Sequence, residues 1–235
     1  MRFFSFIYTL ALMVTFELVL FNPSWWWVFI LLWLVNLLVL YLMVRLKSLS
    51  LRDIVPPLIL LVLSQVLLFF FEGTFWQHTM SVLISLILGH YFYTLFTVSN
   101  GKWVRHLRQL LVILNVFLSS SVALSMNIFL RFPWYIVVLL FLFFIITFNG
   151  YLPGDKSRFL GRSRWLPILI ATELFLVSLI LPINFFSRAV IISFGFHLAN
   201  FIGRGRREMT RQVIVEQVIL ASIFMILVLL TSRWI

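Results

Sequence analysis

The chain has no cysteine in its 235 residues. This absence excludes disulfides, thiolate metal sites and cysteine nucleophiles. Charge is also scarce, because only 11% of the residues are Asp, Glu, Lys or Arg, whereas a soluble domain has about a quarter. A soluble fold of this length would need more polar residues to cover its surface. The composition therefore excludes a soluble domain, a disordered chain and a secreted disulfide scaffold.

Apolar residues make up most of the chain. Hydrophobic residues account for 63% of it, phenylalanine occurs 27 times, and the mean hydropathy is +1.12. A chain this rich in apolar residues is compatible with the hydrocarbon core of a lipid bilayer. We therefore predict an all-α polytopic membrane bundle that forms one integral-membrane domain over residues 1–235, with no soluble domain.

Nine apolar runs approach the roughly 20 residues that a helix needs to cross a bilayer. The first follows Arg2 and lacks a small-x-small cleavage pattern, which favours a retained span over a signal peptide. The eighth contains Gly195 and Gly203 and is compatible with a tilted, broken or re-entrant segment. Eight crossings is the alternative to nine. The predicted spans are 3–21, 26–44, 54–71, 79–98, 110–130, 134–151, 166–184, 188–203 and 213–231.

The distribution of Lys and Arg residues indicates which loops between the predicted spans face the cytoplasm. With the N-terminus in the cytoplasm, Arg2 and the loops 45–53, 99–109, 152–165 and 204–212 hold all but three of the 18 Lys and Arg residues. The exceptions are Arg131, Arg188 and Arg233. The predicted outer loops are short and lie at 22–25, 72–78, 131–133 and 185–187. Cytoplasmic loops of membrane proteins carry such an excess. Nine crossings with a cytoplasmic N-terminus and an external C-terminus follow, and we expect a bacterial cytoplasmic membrane as the location.

Local patterns predict helix starts and helix packing. Asp53 followed by Pro56 and Pro57 indicates the start of a helix, with the prolines in its first turn. Small residues at four-residue spacing allow helices to approach closely in lipid. Two such stripes occur, Ser81-Ser85-Gly89 and Gly195-Ala199-Gly203.

Ionisable residues inside the spans are the strongest functional signal, because lipid penalises charge. By helical rise, Glu173, His197, Glu216 and His90 lie roughly 5–12 Å from the cytoplasmic ends of their spans. They are candidates for one proton- or ion-handling layer. Self-satisfied polar contacts between helices are the simpler interpretation. A metal site ranks third, and we predict neither a metal nor a cofactor.

Two further groups complete the candidates. Glu17, Glu72, His78 and Gln65 lie toward the outer face and are candidates for an outer vestibule. Six arginines of the cytoplasmic loops are candidates for binding anionic lipid head groups: Arg158, Arg162, Arg164, Arg204, Arg206 and Arg207. No basic run is long enough for a nucleic-acid-binding domain, so the expected partners are the bilayer and other membrane proteins.

The sequence contains no motif that fixes an activity. An H-E-x-x-H zinc pattern, a phosphate loop and a G-x-S-x-G elbow are all absent. The preferred hypothesis is a non-enzymatic membrane subunit or scaffold. A small proton- or ion-linked transporter or channel that uses the Glu/His layer is the first alternative. An integral-membrane enzyme acting on a lipid-linked substrate is the second.

Overall fold

The computed structural model is helical throughout the residues it describes, which are 2–21, 30, 34, 36–38, 41, 51–70, 74–97, 102–151, 162–203, 215, 219, 222 and 226, apart from short turns near 69–70, 130–133 and 179–184. This confirms the all-α prediction for that part of the chain. Seven helices have defined bounds: α1 (Arg2–Phe21), α2 (Leu51–Leu68), α3 (Thr74–Thr97), α4 (Lys102–Phe129), α5 (Trp134–Tyr151), α6 (Arg162–Ser178) and α7 (Phe185–Gly203).

Each of these seven helices coincides with a predicted span. Three are long and apolar enough to cross a membrane, over His106–Phe129, Trp134–Tyr151 and Phe185–Ile202. Shorter apolar helices run over Ser5–Leu18, Asp53–Leu68 and Trp165–Ser178. The predicted spans 26–44 and 213–231 lie mostly outside the described residues, and the positions described within them are helical.

The chain divides into two compact units, Met1–Arg108 and Gln109–Ile235. In the first unit, α3 packs against both α1 and α2. The helices α1 and α3 run antiparallel, because Ser5 near the start of α1 meets Gly89 near the end of α3. At the opposite end of the pair, Glu17 of α1 meets His78 of α3.

A close approach between backbones joins α1 to α3. The Ser5 hydroxyl donates to the Gly89 carbonyl at 2.9 Å, and a Cβ added at Gly89 would overlap Thr9 Oγ1. Ser81 and Ser85 are fully buried on α3. The predicted Ser81-Ser85-Gly89 stripe is therefore confirmed as a packing surface, and glycine is needed at position 89 because any side chain would separate the helices.

In the second unit, α6 packs extensively on α7 and also contacts α5. The rings of Phe141 and Phe175 stack between α5 and α6 with their centroids 4.3 Å apart. A Cβ added at Gly195 of α7 would overlap the Leu174 side chain of α6. Gly195 and the buried Ala199 thus confirm the second small-residue stripe at two of its three positions.

A left-handed residue and a backbone hydrogen bond close the end of α4. The amide of Phe132 donates at 3.2 Å to the carbonyl of Met126, which lies six residues earlier. Arg131 adopts φ 54° to make this possible. The Asn127 side chain donates to the Phe132 carbonyl at 2.9 Å and secures the turn. The predicted loop 131–133 is therefore correct, although arginine occupies a position that favours glycine.

The connection between α6 and α7 differs from the prediction. Span 166–184 extends too far, because α6 ends at Ser178 and a turn follows. Pro182 lies in this turn and has no amide to continue a helix. Asn184 caps α7 by accepting the Phe186 amide at 3.1 Å. The predicted loop 185–187 is thus wrong, and α7 is one continuous helix rather than a broken segment.

Candidate functional site

Two polar clusters stand out in the first unit, one at each end of α3. The Glu17 cluster consists of Glu17, His78 and Ser81, where α1 ends and α3 begins. The Asp53 cluster consists of Asp53, Tyr91 and Arg108, where α2 and α4 begin and α3 approaches its end. Each cluster joins residues that are far apart in sequence.

In the Glu17 cluster a carboxylate holds an imidazole. His78 Nδ1 lies 2.6 Å from Glu17 Oε2, and the Ser81 hydroxyl donates to Glu17 Oε1 at 3.3 Å. Both oxygens of the carboxylate are therefore engaged. The Nδ1 contact fixes the orientation of the imidazole and leaves Nε2 as its second polar atom. Glu17 and His78 are half-buried.

An open apolar groove lies beside this cluster. It has a volume of about 360 Å³ and is lined by Leu10, Met13, Val14, Glu17 and Leu18, all on one face of α1. The spacing of these residues is that of a single helical stripe. The groove is therefore a shallow, open depression along α1 whose lining is almost wholly apolar, so that Glu17 contributes chiefly its aliphatic atoms.

The Asp53 cluster contains a buried ion pair. Asp53 Oδ1 contacts Arg108 Nη2, and the two side chains are 8% and 29% exposed. Arg108 Nε is also buried, and no hydrogen-bond partner for it exists among the residues that the structure describes. Because the guanidinium stays charged, the Asp53 carboxylate is what compensates its burial.

Two prolines of α2 explain why Tyr91 belongs to the Asp53 cluster. Pro56 and Pro57 lie at the sixth and seventh residues of α2 rather than in its predicted first turn. Pro57 has no amide, so the Asp53 carbonyl four residues earlier lacks its helical donor. The Tyr91 hydroxyl donates to that carbonyl at 2.9 Å. A side chain of α3 thus satisfies a backbone group that the sequence of α2 leaves open.

The structure describes three of the four candidates for the proton- or ion-handling layer, and these three lie on three different helices. Glu173 and His90 are exposed on α6 and α3. His197 is half-buried on α7 and has an interaction partner. Glu216 lies outside the described residues. The meeting of all four residues stays a prediction.

The outer vestibule candidates divide in a similar way. Glu17 and His78 are paired, as described above. Gln65 is buried within α2 at 2% exposure, and Glu72 lies outside the described residues. Of the head-group candidates, Arg162 and Arg164 lie in the first turn of α6, with their side chains outside the described part. Arg158, Arg204, Arg206 and Arg207 also lie outside it.

Sequence reasoning missed the Asp53–Arg108 pair. The sequence predicts Asp53 as a helix cap and Arg108 as a charge in the cytoplasmic loop 99–109. Both residues do lie near helix starts on the same predicted face of the membrane, and this shared depth is the signal that could have suggested the pair. No cluster of three or more metal-ligating side chains occurs among the described residues.

Comparison with known proteins adds no information about these two clusters. No protein-family model matches the chain, and neither a curated protein nor a solved structure matches it.

Proposed function

We propose that the chain is a multi-pass membrane protein that acts as a non-enzymatic subunit or scaffold. It crosses the bacterial cytoplasmic membrane nine times, with the N-terminus inside and the C-terminus outside. Its partners are other membrane proteins and the anionic lipid head groups near the basic loops. The observation that carries the proposal is the pattern of exposed apolar side chains on the helices.

These side chains form stripes rather than isolated spots. On α1, Phe6, Leu10 and Val14 are 65%, 54% and 49% exposed. On α5, Leu139 and Phe143 are 65% and 66% exposed. A single exposed leucine is ordinary in a soluble protein, but apolar stripes that follow whole helices require an apolar solvent or a protein partner. A subunit of a membrane assembly is in contact with both lipid and protein partners.

The internal polar groups support a scaffold rather than a transport path. The hydroxyls of Ser119 and Ser120 donate to the Val116 carbonyl of their own helix, at 3.0 and 2.8 Å. The Thr172 hydroxyl does the same toward Ile168 at 2.7 Å. Such local bonds satisfy these three hydroxyls within their own helices, whereas the buried hydroxyls of Ser121 and Ser125 have no hydrogen-bond partner among the described residues. Glu173 is exposed and forms no ion pair within the described ranges, which weakens the Glu/His transport layer as an alternative.

The absence of native cysteine makes the topology directly testable. Single-cysteine variants Ser24→Cys and Ser232→Cys place a thiol on predicted outer segments, and Ser48→Cys and Ser157→Cys place one in predicted cytoplasmic loops. In intact cells we expect a membrane-impermeant maleimide to label the first pair only. The parent chain is the matched blank. Protection of Ser232→Cys would favour eight crossings, and labelling of Ser157→Cys would refute the orientation.

The scaffold role is tested by isolating the chain with its surroundings. Tagged protein purified from its native host is expected to elute as a larger assembly than the same protein from an unrelated host. Alkaline carbonate should leave the chain in the membrane pellet. A monodisperse particle of equal size from both hosts would contradict the scaffold role, and extraction by carbonate would contradict membrane insertion.

The Glu17 cluster favours one second candidate, an integral-membrane enzyme acting on a lipid-linked substrate. Its support is a carboxylate-oriented imidazole beside an apolar groove, which is the arrangement of a general base. We expect His78→Ala and Glu17→Gln to alter the lipid composition of the membrane, and Leu139→Ala on the exposed face of α5 to leave it unchanged. Identical lipid profiles for all three variants would exclude this candidate.

A further inference from the structure

Two arginines lie on neighbouring turns at one end of the second unit. Arg131 is in the turn between α4 and α5, and Arg188 is in the first turn of α7. The two turns are adjacent, because the ring of Phe129 at the end of α4 meets the ring of Phe185 at the start of α7, with their centroids 5.9 Å apart. The packing therefore brings together two of the three basic residues that the sequence predicts on the outer face.

Each turn holds its arginine in a defined position. The Asn127 side chain donates to the Phe132 carbonyl and fixes the first turn, in which Arg131 is exposed. In the second turn, Arg188 Nε donates to the Ile183 carbonyl at 2.7 Å. This bond orients the half-buried Arg188 side chain and leaves its two Nη groups as the remaining donors. Those Nη groups form no hydrogen bond with the residues that the structure describes.

The second unit provides no carboxylate for these two cations. Within the described ranges, neither Arg131 nor Arg188 forms an ion pair. Glu173 is the one acid of this unit that the structure describes, and it lies exposed on α6 without such a pair. The other acids of the unit lie in or next to the predicted cytoplasmic loops, and they are Asp155, Glu208 and Glu216. The counter-charge of the two arginines therefore comes from another molecule.

The side chains around the two turns are those of a membrane–water interface. Trp134 and Tyr135 follow the Arg131 turn directly, and both are exposed. Exposed Trp and Tyr concentrate at the level of lipid head groups. Leu130 and Ile180, which lie in the turns after α4 and α6, are exposed as well. A molecule that meets both the cations and these apolar side chains has an anionic head and an apolar tail.

A phosphodiester supplies the missing charge without any change of protonation. The guanidinium group stays protonated throughout the pH range of proteins, and its planar donors match the paired oxygens of a phosphate. Arg188 also lies in the first turn of α7, where the helix dipole disfavours a cation and favours an anion. No acid occurs in that turn. A bound phosphate therefore offsets both the charge of the arginines and the unfavourable placement of Arg188.

We propose that Arg131 and Arg188 bind the head-group phosphate of an anionic phospholipid in the outer leaflet of the membrane. The acyl chains of this lipid then lie against Leu130 and Ile180. The site is separate from the head-group candidates of the cytoplasmic loops. It rests on the proposed function for the choice of leaflet, whereas the contact itself requires a bilayer in either orientation.

Fluorescence quenching in lipid nanodiscs tests the site. Leu130→Cys introduces the only thiol of the full chain and places a fluorophore beside Arg131. The nanodiscs consist of phosphatidylcholine with a small fraction of spin-labelled phosphatidylglycerol as quencher. Relative to spin-labelled phosphatidylcholine, we expect phosphatidylglycerol to be enriched about tenfold at the fluorophore, the low end of the effect of a hydrogen bond to a charged group. Ile146→Cys, an equally exposed position further along α5, is the matched control and should show no preference.

Substitutions in the Leu130→Cys background test the two arginines. Arg131→Gln and Arg188→Gln should each remove most of the enrichment. Arg188→Lys keeps the charge but should also remove most of it, because an ammonium group lacks the planar fork that binds the Ile183 carbonyl and the phosphate together. Arg105→Gln removes one charge at the opposite end of α4 and should leave the enrichment unchanged. This comparison separates a built site from a diffuse surface potential, which responds only to charge.

Several outcomes would overturn the lipid site. They are equal quenching by the two lipids at position 130, the same preference at position 146, and full enrichment in Arg188→Gln or Arg188→Lys. Loss of the enrichment in excess inorganic phosphate would show that the arginines bind free phosphate instead of a lipid. Gel filtration and helical content confirm that each variant folds.

Labelling of Leu130→Cys in intact cells separates this site from the proposed topology. A membrane-impermeant maleimide should reach the thiol, because the turn is predicted on the outer face. Enrichment in nanodiscs together with a protected thiol in cells defeats the proposed orientation and the choice of leaflet. A labelled thiol without enrichment defeats the lipid site alone.

Discussion

The buried ion pair between Asp53 and Arg108 makes the most demanding prediction about stability. Asp53→Asn removes the negative charge and leaves a guanidinium that cannot be neutralised. Removing one partner of a buried pair costs about 3–5 kcal/mol. The Arg108 side chain is 29% exposed and the Asp53 side chain 8%, so the guanidinium regains part of its hydration. We therefore expect Asp53→Asn to lower the free energy of unfolding by about 3 kcal/mol, the low end of that range.

A double-mutant cycle separates the pair from the general effect of each substitution. Arg108→Gln removes the cation that faces the Asp53 carboxylate, and we expect a similar loss in the free energy of unfolding. The double variant leaves two neutral amides, so it should be about 2–3 kcal/mol more stable than the sum of the single variants predicts. Arg131→Gln is the charge-matched control, because Arg131 is exposed and its loss should change stability by under about 0.5 kcal/mol.

The assay is reversible unfolding in mixed micelles, with SDS as denaturant and helical circular dichroism as the readout. The linear dependence of the free energy on SDS fraction yields each value. The reasoning about the ion pair is refuted if Asp53→Asn matches Arg131→Gln, or if the two single effects add within about 0.5 kcal/mol. Either result would mean that Arg108 finds its hydration elsewhere.

Two further predictions use the same unfolding assay. Tyr91→Phe should lower the free energy of unfolding by about 1–3 kcal/mol, because it removes the hydroxyl that donates to the Asp53 carbonyl. Pro57→Ala should reduce that cost by restoring the missing helical amide. An equal effect of Tyr91→Phe in both backgrounds would contradict the role of the proline. Arg131→Gly should stabilise the chain by about 0.5–1 kcal/mol, since a side chain with φ 54° is strained and glycine is not. A loss of stability there would indicate that the Arg131 side chain makes a contact worth more than the strain.

The helices themselves could be predicted from the sequence, because a span is a local property. Apolar runs of sufficient length mark where a helix can continue, although the run 166–184 extends past the end of α6 at Ser178. Six of the seven helices with defined bounds begin within five residues of the predicted start, and α4 begins eight residues before its predicted start. The extra turns of α4 contain Arg105 and Arg108, whose charge lowers hydropathy but does not oppose helix formation.

The candidate sites could be predicted only in part. Glu17 and His78 lie toward the same predicted face of the membrane, and the structure pairs them. Glu173 and His197 also share a predicted depth, yet Glu173 is exposed on α6. Depth follows from counting residues along a helix, at about 1.5 Å each. Direction around the helix axis follows from which faces pack, and that depends on side chains from other helices.

Hydropathy and charge are sums over neighbouring residues, so the linear chain alone was enough to exclude a soluble fold and to predict helices and an orientation. The absence of cysteine and the scarcity of charge are also properties of the linear chain alone. Three features depend on rotation and contact between distant helices. They are the pairing of Asp53 with Arg108, the Tyr91 bond that replaces the missing amide of Pro57, and the exposure of Glu173 on α6. Only packing in three dimensions fixes those, because the same helices with the same sequence can present different faces to one another.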